Sequence, residues 1–385
     1  MYNLNSHYEN IFQYLDTIVA DPRVLYLIPY GSTRPEDLEN LSRDMSHWAG
    51  ARGPLFLCHD QEPVSLKNNL KLFAHVCCNY AQGQQFILVT TEKNSDDVDA
   101  VQQMYKCPVV YYFHHIFAAH DWFRGVRYDA RLKRPRDRIL KKKYISFNRL
   151  TSSKRVYRSL FVSELIQRHI LDQGYVSYND VCPDNDKDYI YNLAEARDHG
   201  LITQEIFTEA VNNIATAPLP LRIDYKDQKY IPNHSFVLSA VEQTQESFVY
   251  VVTETCYWER KCHLTEKIFK PIVSQMPFIL VGPAHNLKYL KEYGFKTFGH
   301  WFDESYDDIE DPIERMHAIG ALLHDLSNRS LDDLKNMLLE MVPTLEYNYN
   351  RFYSQDLLDS AWDEFVTNLE DSFDPTKYSA VSLKP

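Results

Sequence analysis

Residues 253–283 read TETCYWERKCHLTEKIFKPIVSQMPFILVGP. The apolar run SFVYVVT (247–253) leads into this stretch, and a second one, PFILVG (277–282), closes it. Short apolar runs without polar alternation read as strands covered on both faces, as in parallel sheets. Between them Thr265 reads as the N-cap of a helix, with Glu266 and Lys267 in its first turn. Strand, helix and strand in that order make the repeating unit of an α/β protein. Glutamate suits the positive end of a helix dipole; lysine becomes favourable there when an anion lies between it and the helix start. The competing reading is a surface acid–base pair that contributes little. Pro271, a turn further on, is expected to bend this helix or shift its start.

The same alternation extends through the chain. VLYLI (24–28), PLFLC (54–58), FILVT (86–90) and PVVYYF (108–113) are brief apolar runs, with helix candidates at 34–47, 64–77 and 97–105. The basic run RLKRPRDRILKKK (131–143) then intervenes, and YISFN (144–148) opens a second strand series. A long helix is expected over 153–172, and another over 285–293 ending at Gly294. The remainder reads as helices at 312–327, 331–341 and 355–371. The fold expectation is therefore α/β: two doubly wound, Rossmann-like domains facing a cleft, with a helical C-terminal segment. The expected divisions are 1–130, a connector at 131–143, 144–306, and a helical extension at 307–385. In open sheets of this class ligands bind beyond the carboxyl ends of the strands, which is where Thr265-Glu266-Lys267 falls.

Composition narrows the chemistry. The chain has 385 residues and a net charge of −12, which opposes indiscriminate binding to a phosphate backbone. The basic run is then a solvated connector or a local patch that draws anionic substrate. Only 11 glycines occur, and neither GxGxxG nor GxxxxGK[ST] is present. A diphosphate must therefore be held by side chains and helix starts rather than by glycine loops. The 7 cysteines include no CxxC pair, so reduced thiols are expected. No apolar stretch is long enough to span a bilayer, and the start MYNLNSHYENIFQYLD has no signal core; a cytoplasmic location is expected, host cytoplasm if the chain is viral.

Three further groups carry candidate chemistry. In LFLCHDQEPVSL (55–66) a strand ends and His59, Asp60 and Glu62 follow in the loop, where catalytic groups of α/β folds often lie; a helix cap is the competing role. His114, His115 and His120 lack the spacing of a zinc-binding helical pair and read as structural. Asp184 and Asp186 form a DxD triplet, which opens the alternative of a metal-dependent, GT-A-type transferase. That motif needs a buried strand before it, and YVSYNDVC reads as a weak one.

The order Glu254, polar spacer, Thr265-Glu266-Lys267, apolar helix, then Met276-Pro277-Phe278-Ile279-Leu280-Val281-Gly282 resembles the donor-binding signature of the α-1,3-fucosyltransferase family. Ser146-Phe147-Asn148 followed by Arg155 is similar to that family's upstream segment. The resemblance covers about residues 144–300, and exostosin-like transferases share the general layout. It implies a GT-B architecture and a glycosyltransferase, inverting by analogy and with no obligatory metal or cofactor. The co-substrate would be a nucleotide-sugar, UDP- or GDP-linked. Carried over, Glu266 holds ribose, Lys267 and Arg155 hold the diphosphate, and Glu254, His263 and Asn148 belong to the same site. Glu62, or Asp60 as its rival, would be the general base for a hydroxyl acceptor: a glycan, a protein or a modified DNA base. His263 stands where the family has tyrosine, and Thr255 where it has asparagine, so neither nucleobase nor sugar is assigned. The acidic, aromatic stretch 301–316 resembles the tail of phage-encoded proteins. A non-enzymatic binding or virion-associated protein on a transferase scaffold is the remaining alternative.

Overall fold

The computed structural model describes residues 23–26, 54–59, 63–65, 73–74, 86–223 and 237–372. The helix candidate at 34–47 and most of that at 64–77 lie outside these. Two compact units divide the chain: 1–121 with 355–385, and 122–354.

The first unit holds β1 (Arg23–Tyr26), β2 (Leu55–His59), β3 (Phe86–Thr90), α1 (Asp96–Tyr105), β4 (Val109–Tyr111) and α2 (His114–Phe123), the last running across its boundary. The strands are parallel and lie in sequence order. Leu55 stands opposite Phe86 and His59 opposite Thr90. Strand side chains alternate between faces, so Leu55, Leu57, Phe86 and Leu88 pack with Val98 and Val101 of α1. Phe56, Cys58, Ile87 and Val89 point the other way, against Tyr112, Phe365 and Leu369.

Those last two residues belong to the last helix among the described residues. The second unit opens with the basic segment and holds β5 (Lys142–Asn148), α3 (Tyr157–Gln167), β6 (Gly174–Tyr178), α4 (Tyr189–Asp198), α5 (Gln204–Ala215) and α6 (Val241–Gln245). It continues with β7 (Ser247–Thr253), α7 (Glu266–Val273), β8 (Phe278–Val281), α8 (Asn286–Glu292), α9 (Pro312–Ser327) and α10 (Leu331–Phe352); α11 (Gln355–Ser372) returns to the first unit. The expected helical extension from 307 is thus divided between the two units. Within the basic run most side chains are exposed, and the buried Arg138 guanidinium donates to the carbonyls of Lys133, Ser274 and Gln275.

The sheet of the second unit is all parallel, in the order β6-β5-β7-β8. All seven residues of β7 are buried, so helices cover both faces. α3 packs with α5 and α9, and α7 with α10.

Several boundaries differ from the sequence reading for local reasons. The helix expected over 153–172 is a 3-10 turn (Ser153–Val156) followed by α3, which stops at Gln167. His169 adopts φ 56°, and the amide of Ile170 donates to Leu165 O at 3.0 Å. This is a left-handed helix stop made without glycine. α10 runs past its expected end, through Pro343 to Phe352. The segment read as a weak strand before Asp184 is β6, an edge strand whose last three residues are buried.

Candidate functional site

In the order β6-β5-β7-β8 the chain leaves β5 on one side for β6, then returns to add β7 on the other. The strand order reverses between β5 and β7, and crevices beyond the carboxyl ends of such neighbours are where parallel α/β sheets bind ligands. β1–β4 show no reversal. Topology therefore selects the ends of β5 and β7, at Asn148 and Thr253.

Asn148 is fully buried; its amide donates to Ser177 Oγ at 3.2 Å and its Nδ2 to Ser146 Oγ at 3.1 Å. Its Oδ1 has no hydrogen-bond partner. Thr253 Oγ1 donates to Phe147 O at 2.9 Å, tying the two strand ends together.

The next residue, Glu254, is also fully buried. Its carboxylate accepts from Thr265 Oγ1 at 2.6 Å and from the amides of Thr255 and Thr265, each at 3.3 Å. Burial pushes its pKa up, against the opposing pull of Lys267 and Thr265. This carboxylate orients the start of α7 from beneath. Thr265 is the N-cap, as the sequence indicates, and its Oγ accepts from the Lys267 amide at 3.4 Å. The Lys267 ammonium folds back to Thr265 Oγ1 at 3.0 Å and Thr255 Oγ1 at 3.1 Å, and lies 3.4 Å from Glu266 Oε1. The Lys267 side chain stays 29% exposed whereas that of Glu266 is only 7% exposed, so the cation is the group offered to solvent. α7 keeps Pro271 inside it and ends at Val273; just beyond, Gln275 adopts φ 50° and the Met276 amide donates to Pro271 O at 2.9 Å.

On the β5 side, Arg155 lies in the 3-10 turn before α3 and is half-buried. Two residues on, the buried Tyr157 hydroxyl donates to Glu254 O, and burial pushes its pKa up to about 12. Lys267 acts on the carboxylate of the same Glu254. The two cations expected to hold a diphosphate stand on segments that follow different strands, Arg155 after β5 and Lys267 after β7.

Two buried arginines not singled out in the sequence hold these loops. Arg158 donates to Leu150 O at 3.1 Å and to Thr253 O and Glu254 O, both at 3.0 Å. Arg315 donates to Gly282 O at 3.1 Å and Tyr257 O at 2.7 Å, and further to Ile309 O and Glu310 O. Between them Tyr157 and Tyr257 stack at 4.5 Å. The loops after β5, β7 and β8 are therefore fixed by carbonyl capture. The sequence pattern does not mark this role, since Thr253 and Glu254 lie 95 and 96 positions from Arg158.

The remaining candidates are more dispersed. His263 is fully buried, its amide donating to Asn286 Oδ1 at 3.0 Å. Asp60 and Glu62 lie outside the described residues; His59, at the end of β2, is buried. His114 and His115 are buried in the first turn of α2, with rings 5.4 Å apart. Asp184 accepts from Ser152 Oγ at 3.1 Å, which places the triplet's first carboxylate beside the loop after β5. No group of three or more His, Cys, Asp or Glu side chains suited to a metal gathers among the described residues. A cavity of about 650 Å³ lies along β6, bordered by Tyr175, Val176 and Leu221, away from the α7 start. No family model and no curated protein matches this chain.

Proposed function

We propose that the chain is a glycosyltransferase that moves a sugar from a nucleotide-sugar donor to a hydroxyl acceptor. The observation that carries this reading is the Glu254–Thr265–Lys267 network at the reversal between β5 and β7, with Arg155 in the turn that follows β5. Cleaving a sugar from a nucleoside diphosphate develops negative charge on the departing phosphate. Lys267, Arg155 and the positive end of α7 supply opposite charge from a rigid frame, each charge-assisted contact contributing about 1.5–3 kcal/mol. Glu266 is the proposed ribose ligand. The GT-B-like, two-domain layout and Glu62 as general base belong to the same proposal, on the resemblance in sequence.

A thermal-shift panel of UDP-, GDP-, CDP- and dTDP-sugars, with and without Mn²⁺, tests it. Stabilisation by one donor, lost in Lys267→Ala, is the expected result. No shift with any of them would remove the donor site. Glu62→Gln should retain the shift while lowering turnover by about two to four orders of magnitude.

A further inference from the structure

The segment 124–139 exposes Arg124, Arg127, Arg131, Lys133, Arg134 and Arg136; Arg131 pairs with Asp129 at 2.6 Å and Arg134 with Asp137 at 2.9 Å, which leaves the segment net positive. In a chain of net charge −12 this is a local inversion of sign. The segment is also held in place. Arg138 fastens it to the end of α7, the Lys335 ammonium of α10 takes the carbonyls of Pro135, Arg136 and Arg138 at 2.8–3.0 Å, and Gln245 Nε2 donates to Arg131 O at 2.8 Å. Among these cations stand two large side chains with little cover: Tyr128, 75% exposed, and Ile139, 72% exposed. Leu339, one turn beyond Lys335 on α10, is 40% exposed.

The geometry points to a peripheral docking surface for a bilayer bearing anionic headgroups. Cations attract such a surface, and each exposed apolar side chain that enters the interface adds burial that charge alone does not supply. A nucleic-acid backbone would reward the arginines and stack on Tyr128, but it gives Ile139 and Leu339 nothing to bury against. The exposed Ile139 and Leu339 side chains therefore favour lipid over a nucleic-acid backbone. No helix among the described residues is long and apolar enough to cross a membrane, so the contact would be made from one side. This inference is independent of the donor site.

Vesicle flotation of the full chain tests it, using phosphatidylcholine alone or mixed with phosphatidylglycerol, beside fluorescence anisotropy with a single-stranded oligonucleotide. The expected result is flotation with the anionic vesicles only, weakened about tenfold or more by Arg134→Glu/Arg136→Glu and, separately, by Ile139→Ser. All these side chains are exposed, so unchanged melting curves verify that the variants fold. Flotation insensitive to Ile139→Ser, oligonucleotide binding without flotation, or no binding to either would each overturn the proposal.

Discussion

Glu254 shows what a single buried carboxylate does here. Three hydrogen bonds and Lys267 favour its charged form, yet burial prevails and its pKa is raised from the ordinary 4.5. The folded chain then holds that proton more tightly than the unfolded chain. Stability from this group is present in full below the ordinary value and is lost as pH rises through the raised one. Glu304 and Asp307 are raised by burial too and act with the same sign. Glu254→Gln is expected to flatten part of the decline in melting temperature above about pH 4.5, measured by calorimetry across pH. A variant with the wild-type slope would place the pKa elsewhere. Lys267→Ala should weaken nucleoside diphosphate binding by about 1.5–3 kcal/mol in titration calorimetry. The motif Thr265-Glu266-Lys267 was legible in sequence because capping depends on neighbours along the chain. Arg158 was not, because the carbonyls it captures arrive from residues about a hundred positions away, at Thr253 and Glu254.

Elements carry the next group of effects. Lys270 lies in the middle of α7, beside Leu132, Val241 and Tyr250, and burial pushes its pKa from 10.5 down to about 8. The unfolded chain keeps this proton to higher pH, so stability should rise between about pH 8 and pH 10.5. Lys270→Met should remove that rise and increase the melting temperature at neutral pH; a decrease would mean that the ammonium makes a net favourable contact. Arg158→Ala removes the side-chain donor to Leu150 O and Thr253 O, each costing about 1–3 kcal/mol if left buried and unpaired, while Glu254 O keeps the Tyr157 hydroxyl. Urea titration should show a loss of at least about 2 kcal/mol. Strand positions were readable from apolar runs, and the order of α/β elements with them. Helix ends at His169 and Gln275 were not, since both left-handed stops use residues other than glycine.

For the molecule, the important fact is that α11 closes the first unit although it is last in sequence. Trp362, Phe365, Val366 and Leu369 cover the sheet face formed by Phe56, Ile87 and Val89. Full burial of such a side chain contributes about 1.5–3 kcal/mol, and a domain's whole stability is about 5–15 kcal/mol. Truncation after Ser354 should therefore abolish the calorimetric transition of the first unit and leave that of 122–354. Survival of both transitions would mean that α11 is dispensable. Apolar runs, the helix cap at Thr265 and the scarcity of glycine follow from the chain alone, because each rests on local geometry or on composition. The reversal of strand order at β5 and β7, the carbonyl capture by Arg158 and Arg315, and the return of α11 to the first sheet required the folded coordinates. Each joins segments far apart in sequence, and an apolar run specifies that it will be buried without specifying its neighbour.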